Sequence, residues 1–299
     1  MSRLRILILG SAAGGGLPQW NCGCRNCSKA RAGEIPTRTQ SSIAVSADGI
    51  SWAVINASPD IREQINRTPA LHPCGLRNSP ITSVLVTNGD IDHIAGLLTL
   101  RESQCFTLFS TGEIAELLHR NRIFDALNRD QVARRPVLLK QAFELVPNLV
   151  AELYPVPGKV PLFMEEGEVE TDLQGEQTVG VRLSSGDAVA HYIPGCAALT
   201  DELRGHLDGA GMVLFDGTVW QNNEMQAQGV GEKTGERMGH MAISGQEGTI
   251  AAFGGIDIER KVFVHMNNTN PVLDPSTEER RIAEAAGWTI SEDGMELTL

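Results

Sequence analysis

Short apolar runs recur along the chain, each bounded by polar or glycine-rich turns, which is the pattern of strands buried in a layered fold. They predict strands at Arg5–Leu9, Ser83–Val86, Val150–Val156, Val179–Leu183, Ala188–Ile193, Val213–Phe215 and Val262–Val264. Ser42–Val45 and Trp52–Ile55 flank Asp48-Gly49 and predict a hairpin. Helical spacing covers Ile94–Arg101, Glu113–Arg120, Thr200–Leu207, Ile243–Ala252 and Ser276–Ala286. The last helix has a frame: Asp274 to cap it, Pro275 in its first turn and Gly287 to end it. The early part is hairpin-rich, and strands alternate with helices later. No repeat of solenoid period and no Pro/Ser-rich linker divides the chain, so residues 1–299 are expected to form a single α/β domain with mixed sheets. Pro155–Gly175, with Glu165, Glu166, Glu168 and Glu170, reads as a solvated loop.

Composition narrows the function classes. Hydrophobic residues make up 41% of the 299 and charged residues 21%, enough for a packed core. The net charge of −12, from 25 basic and 37 acidic side chains, argues against nucleic acid or an anionic membrane surface as the main partner. No window approaches 18 consecutive apolar residues, so no membrane insertion is expected. Two arginines in Met1–Arg5 followed by apolar Ile6–Leu9 hint at a leader peptide, but the run is too short and Gly10 ends it. A cytoplasmic location is the resulting expectation. The six cysteines then read as reduced thiols or metal ligands rather than disulfides.

Cys22, Cys24 and Cys27 form C-x-C-x-x-C in a loop of residues 10–33 that has little apolar content of its own. Three thiols so close together suit one structural zinc ion, which needs a fourth ligand from elsewhere. Cys74, Cys105 and Cys196 are dispersed and read as small buried hydrophobes. Asn88-Gly89-Asp90-Ile91-Asp92-His93 sits where a buried strand ends and a helix begins, a common place for catalytic groups. Spacing alone leaves two readings open: Asp90, Asp92 and His93 converging on a metal, or Asp92 capping the helix with His93 on the surface. Asp216 and His265 also end strands, and His240 precedes an apolar segment. The run Gly14-Gly15-Gly16 is not followed by the Lys and Ser/Thr of a phosphate loop, and no G-x-S-x-G elbow is present.

Together these residues resemble the metallo-β-lactamase superfamily, whose strand-end pattern H-x-H-x-D-H corresponds here to Asn88-x-Asp90-x-Asp92-His93. The Gly-rich loop with its cysteines resembles the subgroup that carries a structural zinc. Gly10–Cys27, Ile55–Ile61, Thr87–His93, Arg237–Ser244 and Val264–Pro271 are similar to the branch that works in making the quinone cofactor pyrroloquinoline quinone, over nearly the whole chain. The resemblance implies a four-layer αββα sandwich. It also brings departures. Asn88 and Asp90 replace two metal-binding histidines, Val156–Lys159 lacks an imidazole, and Ile193–Gly195 lacks a bridging aspartate. What remains is Asp92, His93 and His265, with Asp90 added. Two imidazoles with carboxylate is the composition of non-haem iron(II) oxygenase sites.

The implied activity is iron-dependent hydroxylation of the tyrosine ring in a cross-linked Glu–Tyr diamino acid, with dioxygen as co-substrate. The alternatives are a soluble carrier of the quinone or its precursor toward the periplasm, and a zinc-dependent hydrolase. His240 takes the place of a catalytic histidine. Asn268 is the candidate fourth zinc ligand. Lys159 and Asp216 are candidates for contact with substrate. Oligomeric state, including a homodimer, stays open.

Overall fold

The computed structural model describes residues 4–299, so Met1, Ser2 and Arg3 of the basic N-terminal stretch lie outside the described residues. Among the described residues, fourteen strands form two seven-stranded mixed sheets. The first contains β1 (Arg5–Gly10), β2 (Ser42–Ser46), β3 (Trp52–Ile55), β4 (Ile81–Leu85), β5 (Phe106–Ser110) and β6 (Val132–Pro136). The second contains β7 (Ala142–Val146), β8 (Leu149–Pro155), β9 (Val179–Ser185), β10 (Ala188–Ile193), β11 (Ala210–Asp216), β12 (Ile258–Val264) and β13 (Trp288–Ile290). The chain then returns to the first sheet with β14 (Glu296–Thr298), giving the orders β14-β1-β2-β3-β4-β5-β6 and β13-β12-β11-β10-β9-β8-β7.

Alternation along the strands builds the layers. Ile6 and Ile8 of β1 join Ile43 and Val45 of β2 and Tyr192, Met212 and Leu214 of the other sheet in the central core. Leu7, Leu9 and Ala44 point the other way, onto the helices of the first half. Ile193, Val213 and Phe215 pack against the helices of the second half. Both faces of each sheet are thus covered, which is why the strands read as near-continuous apolar runs. The architecture is helix, sheet, sheet, helix, as the sequence resemblance implied. Among the described residues no helix is long and apolar enough to cross a membrane.

Several expectations are corrected. Ile94–Arg101 is not an α-helix: an α-turn over Ile91–Ile94 passes into a 3-10 stretch over Ala95–Arg101. The Gly96 N–H is diverted to the Ala57 carbonyl at 2.9 Å, which breaks the i to i−4 ladder. Only Thr249–Ala252 is helical within Ile243–Ala252, because Ser244 and Gly248 approach backbone to backbone. The last helix spans Glu278–Ala285 and is capped by Thr277, whose hydroxyl accepts from the Arg280 N–H. Asp274, expected as that cap, is instead buried against Lys29 Nζ at 2.5 Å. Cys74 and Cys105 are exposed, and of the three dispersed cysteines only Cys196 is a buried hydrophobe.

Candidate metal centre

The register of parallel strands brings the chemistry to one rim. Asp216 ends β11 opposite Val264, so His265, the next residue after β12, emerges beside it. Ile55 of β3 lies opposite Leu85 of β4, and the chain leaves β4 into Asn88–His93. Both sheets therefore deliver their strand ends to the same side, where ligands bind in open α/β sheets. His265 adopts a φ of 58°, left-handed and rare for a residue with a Cβ, and this turns its ring back into the site.

Donor atoms of Asp92, His93 and His265 lie within 4.8 Å of one another. His265 Nε2 is 3.1 Å from Asp92 Oδ2, and His93 Nε2 is 3.8 Å from the same oxygen. Two donors each about 2.1 Å from one ion are separated by about 3.0–3.4 Å, so the first distance suits neighbouring ligands on a metal. His93 is buried, yet neither of its ring nitrogens has a hydrogen-bond partner among the described residues. An imidazole in that state calls for a missing partner. Burial pushes the His93 imidazole down to about 4, against the pull of Asp92, so the ring is neutral and fit to coordinate. Burial works against the Asp92 charge as well, but the hydrogen bond and charge of the neighbouring His265 outweigh it and hold the carboxyl below its usual range. The group fits a metal ion.

Asp90, expected among the iron ligands, is not one of the three groups that converge. It occupies the cap position of Ile91–Ile94 without capping it, and its carboxyl is pushed up by burial and by Asp92. Asp92 lies in the first turn rather than at the cap, so the capping reading of that residue fails. The Asn88 side chain is occupied by the Asp90 N–H at 3.0 Å.

Behind this group lies a second. His240 Nδ1 is 2.6 Å from Asp216 Oδ2, and the His240 and His265 rings stack 5.2 Å apart. Asp216 is fully buried and accepts from the Cys196 N–H at 2.9 Å and the Thr218 N–H at 2.9 Å. It therefore cannot touch substrate, which corrects the expectation for that residue. Lys159 is also spoken for: its Nζ lies 2.9 Å from Glu165 Oε1, and Arg237 grips the other Glu165 oxygen at 2.8 Å. Glu165, taken from the sequence as part of a solvated loop, is instead nearly buried, and hydrogen bonding from Arg237 and Lys159 draws its carboxyl down to about 2. A cavity of about 960 Å³ with a mixed polar and apolar lining opens onto His240, bounded also by Leu199, Asn222, Glu236 and Ser244. That volume suits a small organic molecule. Thr218, which sequence reasoning missed, sits at the centre of the rear network.

The cysteine loop forms a separate site. Cys24 opens the helix Arg25–Arg31, and its sulfur receives the Cys27 N–H. The three sulfurs converge, and the Asn268 amide reaches all of them at 3.2, 3.4 and 3.3 Å. Tetrahedral zinc with sulfur at about 2.3 Å and oxygen at about 2.1 Å has sulfur–oxygen edges of about 3.6 Å. A half-turn of the amide presents Oδ1 in place of Nδ2. The four residues fit zinc. Asn26 Nδ2 ties this loop to the carbonyls of Asn268 and Asn270 at 3.0 and 2.8 Å. His265 and Asn268 thus share one short loop between the two sites.

Comparison with known proteins places the chain in a family. A model of the beta-lactamase superfamily domain matches residues 51–266. The coenzyme PQQ synthesis protein B of Ruegeria pomeroyi is 57% identical over 296 residues, covering 99% of this chain and 100% of the relative. The protein of the same name from Methylobacterium sp. is 54% identical, covering 99% and 100%. The crystal structure of Zn(2+)-bound PqqB from Methylobacterium extorquens superposes with a TM-score of 0.97 at 52% identity, covering 99% of this chain and 100% of that one. A diphosphatase of the PhnP family, at 21% identity, TM-score 0.70 and coverage of 99% and 97%, shares the fold. The chain therefore belongs to the coenzyme PQQ synthesis protein B family of the metallo-β-lactamase superfamily.

Proposed function

We propose that this chain acts in the synthesis of pyrroloquinoline quinone, the process its relatives are named for, as an iron(II)-dependent hydroxylase. The substrate in this reading is the cross-linked Glu–Tyr diamino acid, and dioxygen is the co-substrate: each hydroxylation puts one oxygen atom into a ring C–H bond and releases the other as water, with two electrons from an external reductant. One observation carries it: two neutral-capable imidazoles and one carboxylate, Asp92, His93 and His265, converge, with His93 left unpartnered. This is the donor set of mononuclear iron(II) oxygenases with open coordination positions. The loops Val156–Lys159 and Ile193–Gly195 supply no His, Asp or Glu, and the other His/Asp cluster among the described residues, Asp216, His240 and His265, has to share the His265 ring with the first, which speaks against a two-metal hydrolase.

Asp92, His93 and His265 would hold the iron, which when bound supplies activation of dioxygen. The cavity beside His240 receives the diamino acid. His240, its Nδ1 bound to Asp216, presents Nε2 to take or return the phenol proton. Asp216 fixes the ring orientation and balances the charge that the ring acquires.

The test is anaerobic iron loading with metal analysis, followed by oxygen uptake in the presence of the diamino acid and an external two-electron reductant. One iron per chain beyond the cysteine-bound zinc, with uptake that depends on the diamino acid, supports the reading. Tight binding of the diamino acid without uptake would instead indicate a carrier, and phosphodiester cleavage with two metals a hydrolase.

A further inference from the structure

The protons behind the two histidines can be assigned by counting donors and acceptors. Thr218 Oγ1 lies 2.6 Å from Asp216 Oδ1, 2.9 Å from the His265 carbonyl, 2.8 Å from His265 Nδ1 and 3.1 Å from His240 Nδ1. A hydroxyl has one proton to give and two lone pairs to receive with. Asp216 and the His265 carbonyl are both acceptors, so only one of them takes that proton. The carboxylate makes the stronger bond and the shorter contact. The imidazole nitrogens must then bring protons of their own. His240 Nδ1–H has the nearer acceptor in Asp216 Oδ2 at 2.6 Å, which leaves Thr218 Oγ1 to receive Nδ1–H from His265.

We propose that Thr218 is a positioning residue for the metal centre: anchored on Asp216, its hydroxyl holds His265 as the Nδ1–H tautomer and so keeps the Nε2 lone pair free for iron. The inference rests on the iron reading above. It makes one buried carboxylate responsible for two rings, His240 directly and His265 through the hydroxyl. The Thr218 backbone reinforces the arrangement, with its N–H on Asp216 Oδ1 at 2.9 Å and its carbonyl taking the Asn267 N–H at 2.9 Å. The hydroxyl is thus fixed at both flanks and cannot rotate away from His265 without losing Asp216. Without it, His265 Nδ1–H has no acceptor at that place, and the ring is free to protonate Nε2 instead. Partners of this kind typically contribute 10–100-fold in metal affinity.

Thr218→Val keeps the shape and removes the hydroxyl, and Thr218→Ser keeps the hydroxyl and removes the methyl. The measurement is anaerobic Fe(II) titration of both variants and the parent, with zinc content and melting temperature recorded on the same samples. The expected result is a loss of about 10–100-fold in Fe(II) affinity for Thr218→Val, near-parental affinity for Thr218→Ser, and one cysteine-bound zinc in all three. Parental affinity in Thr218→Val overturns the proposal while the iron reading stands. Equal losses in both variants also overturn it, since the methyl and not the hydroxyl would then matter. A parent chain that takes up no Fe(II) beyond the cysteine site overturns the iron reading, and the proposal with it.

Discussion

His240 Nδ1 sits 2.6 Å from Asp216 Oδ2, and the carboxylate stands wholly buried behind the ring, away from the cavity. The pair has the order of a proton-transferring histidine with its orienting acid: the ring lines the cavity, and its Nδ1 is tied to the buried carboxylate. His240→Ala should keep iron and the diamino acid bound and slow product formation by roughly 10²–10⁴-fold. Single-turnover kinetics on iron-quantified protein checks this. Loss of iron from the variant would make His240 a ligand, and full activity would leave it without a part in the chemistry.

His93→Ala should abolish Fe(II) uptake, because it removes the buried imidazole that lacks any other partner. The cysteine-bound zinc should remain at one per chain, since Cys22, Cys24, Cys27 and Asn268 are untouched. Metal analysis of purified variant after anaerobic loading decides it, and normal iron content would remove His93 from the site.

Cys24→Ser should lower zinc content toward zero and the melting temperature with it. Cys24 contributes both a sulfur and the cap of the Arg25–Arg31 helix, so ligand and local structure go together. A variant that retains one zinc per chain would show that the three sulfurs do not act as one site.

Glu224 gives a pH dependence with a definite sign. Its carboxyl is buried, accepts from the Trp220 N–H at 2.6 Å and the Thr269 hydroxyl at 2.5 Å, and burial pushes it up to about 7. Between the ordinary value near 4.5 and about 7, the folded chain holds a proton that the unfolded chain has released, so this group's contribution to stability declines as pH rises through that window. Gln in its place can accept from Trp220 and donate to Thr269 at every pH. Glu224→Gln should therefore melt a few degrees above the parent at pH 8, with the difference shrinking by pH 5. A difference independent of pH would mean that Glu224 stays charged in the folded protein.

The sandwich was legible because strands covered on both faces advertise themselves as apolar runs: Ala188–Ile193 forms β10 as expected, and the Asp48-Gly49 turn joins β2 to β3. Edge strands were not legible. Val-Ala-Arg-Arg-Pro in β6 carries two arginines on a half-exposed edge and has no strand pattern of its own. At the site, the residues that follow strands could be found, but those that act through them could not. Asp216-Gly217-Thr218 looks like an ordinary turn, and only the parallel register of β11 against β12 shows the hydroxyl facing His265. Glu165 was misread for a related reason: its partners Lys159 and Arg237 are brought to it by folding, with Arg237 far along the chain.

The return of β14 to the first sheet has a bearing on how the protein is made. Leu297 pairs with Ile6, and Asp293 receives the Ser11 N–H at 2.9 Å and the Thr39 N–H at 2.7 Å, on either side of the cysteine loop. During synthesis the first sheet therefore waits with an open margin, and the loop that brackets the cysteines lacks its acidic anchor, until residues 293–298 have left the ribosome. The half that is translated first is completed last, so a nascent chain halted after β2 but before that point carries a β1 with one open edge that invites pairing with a neighbour.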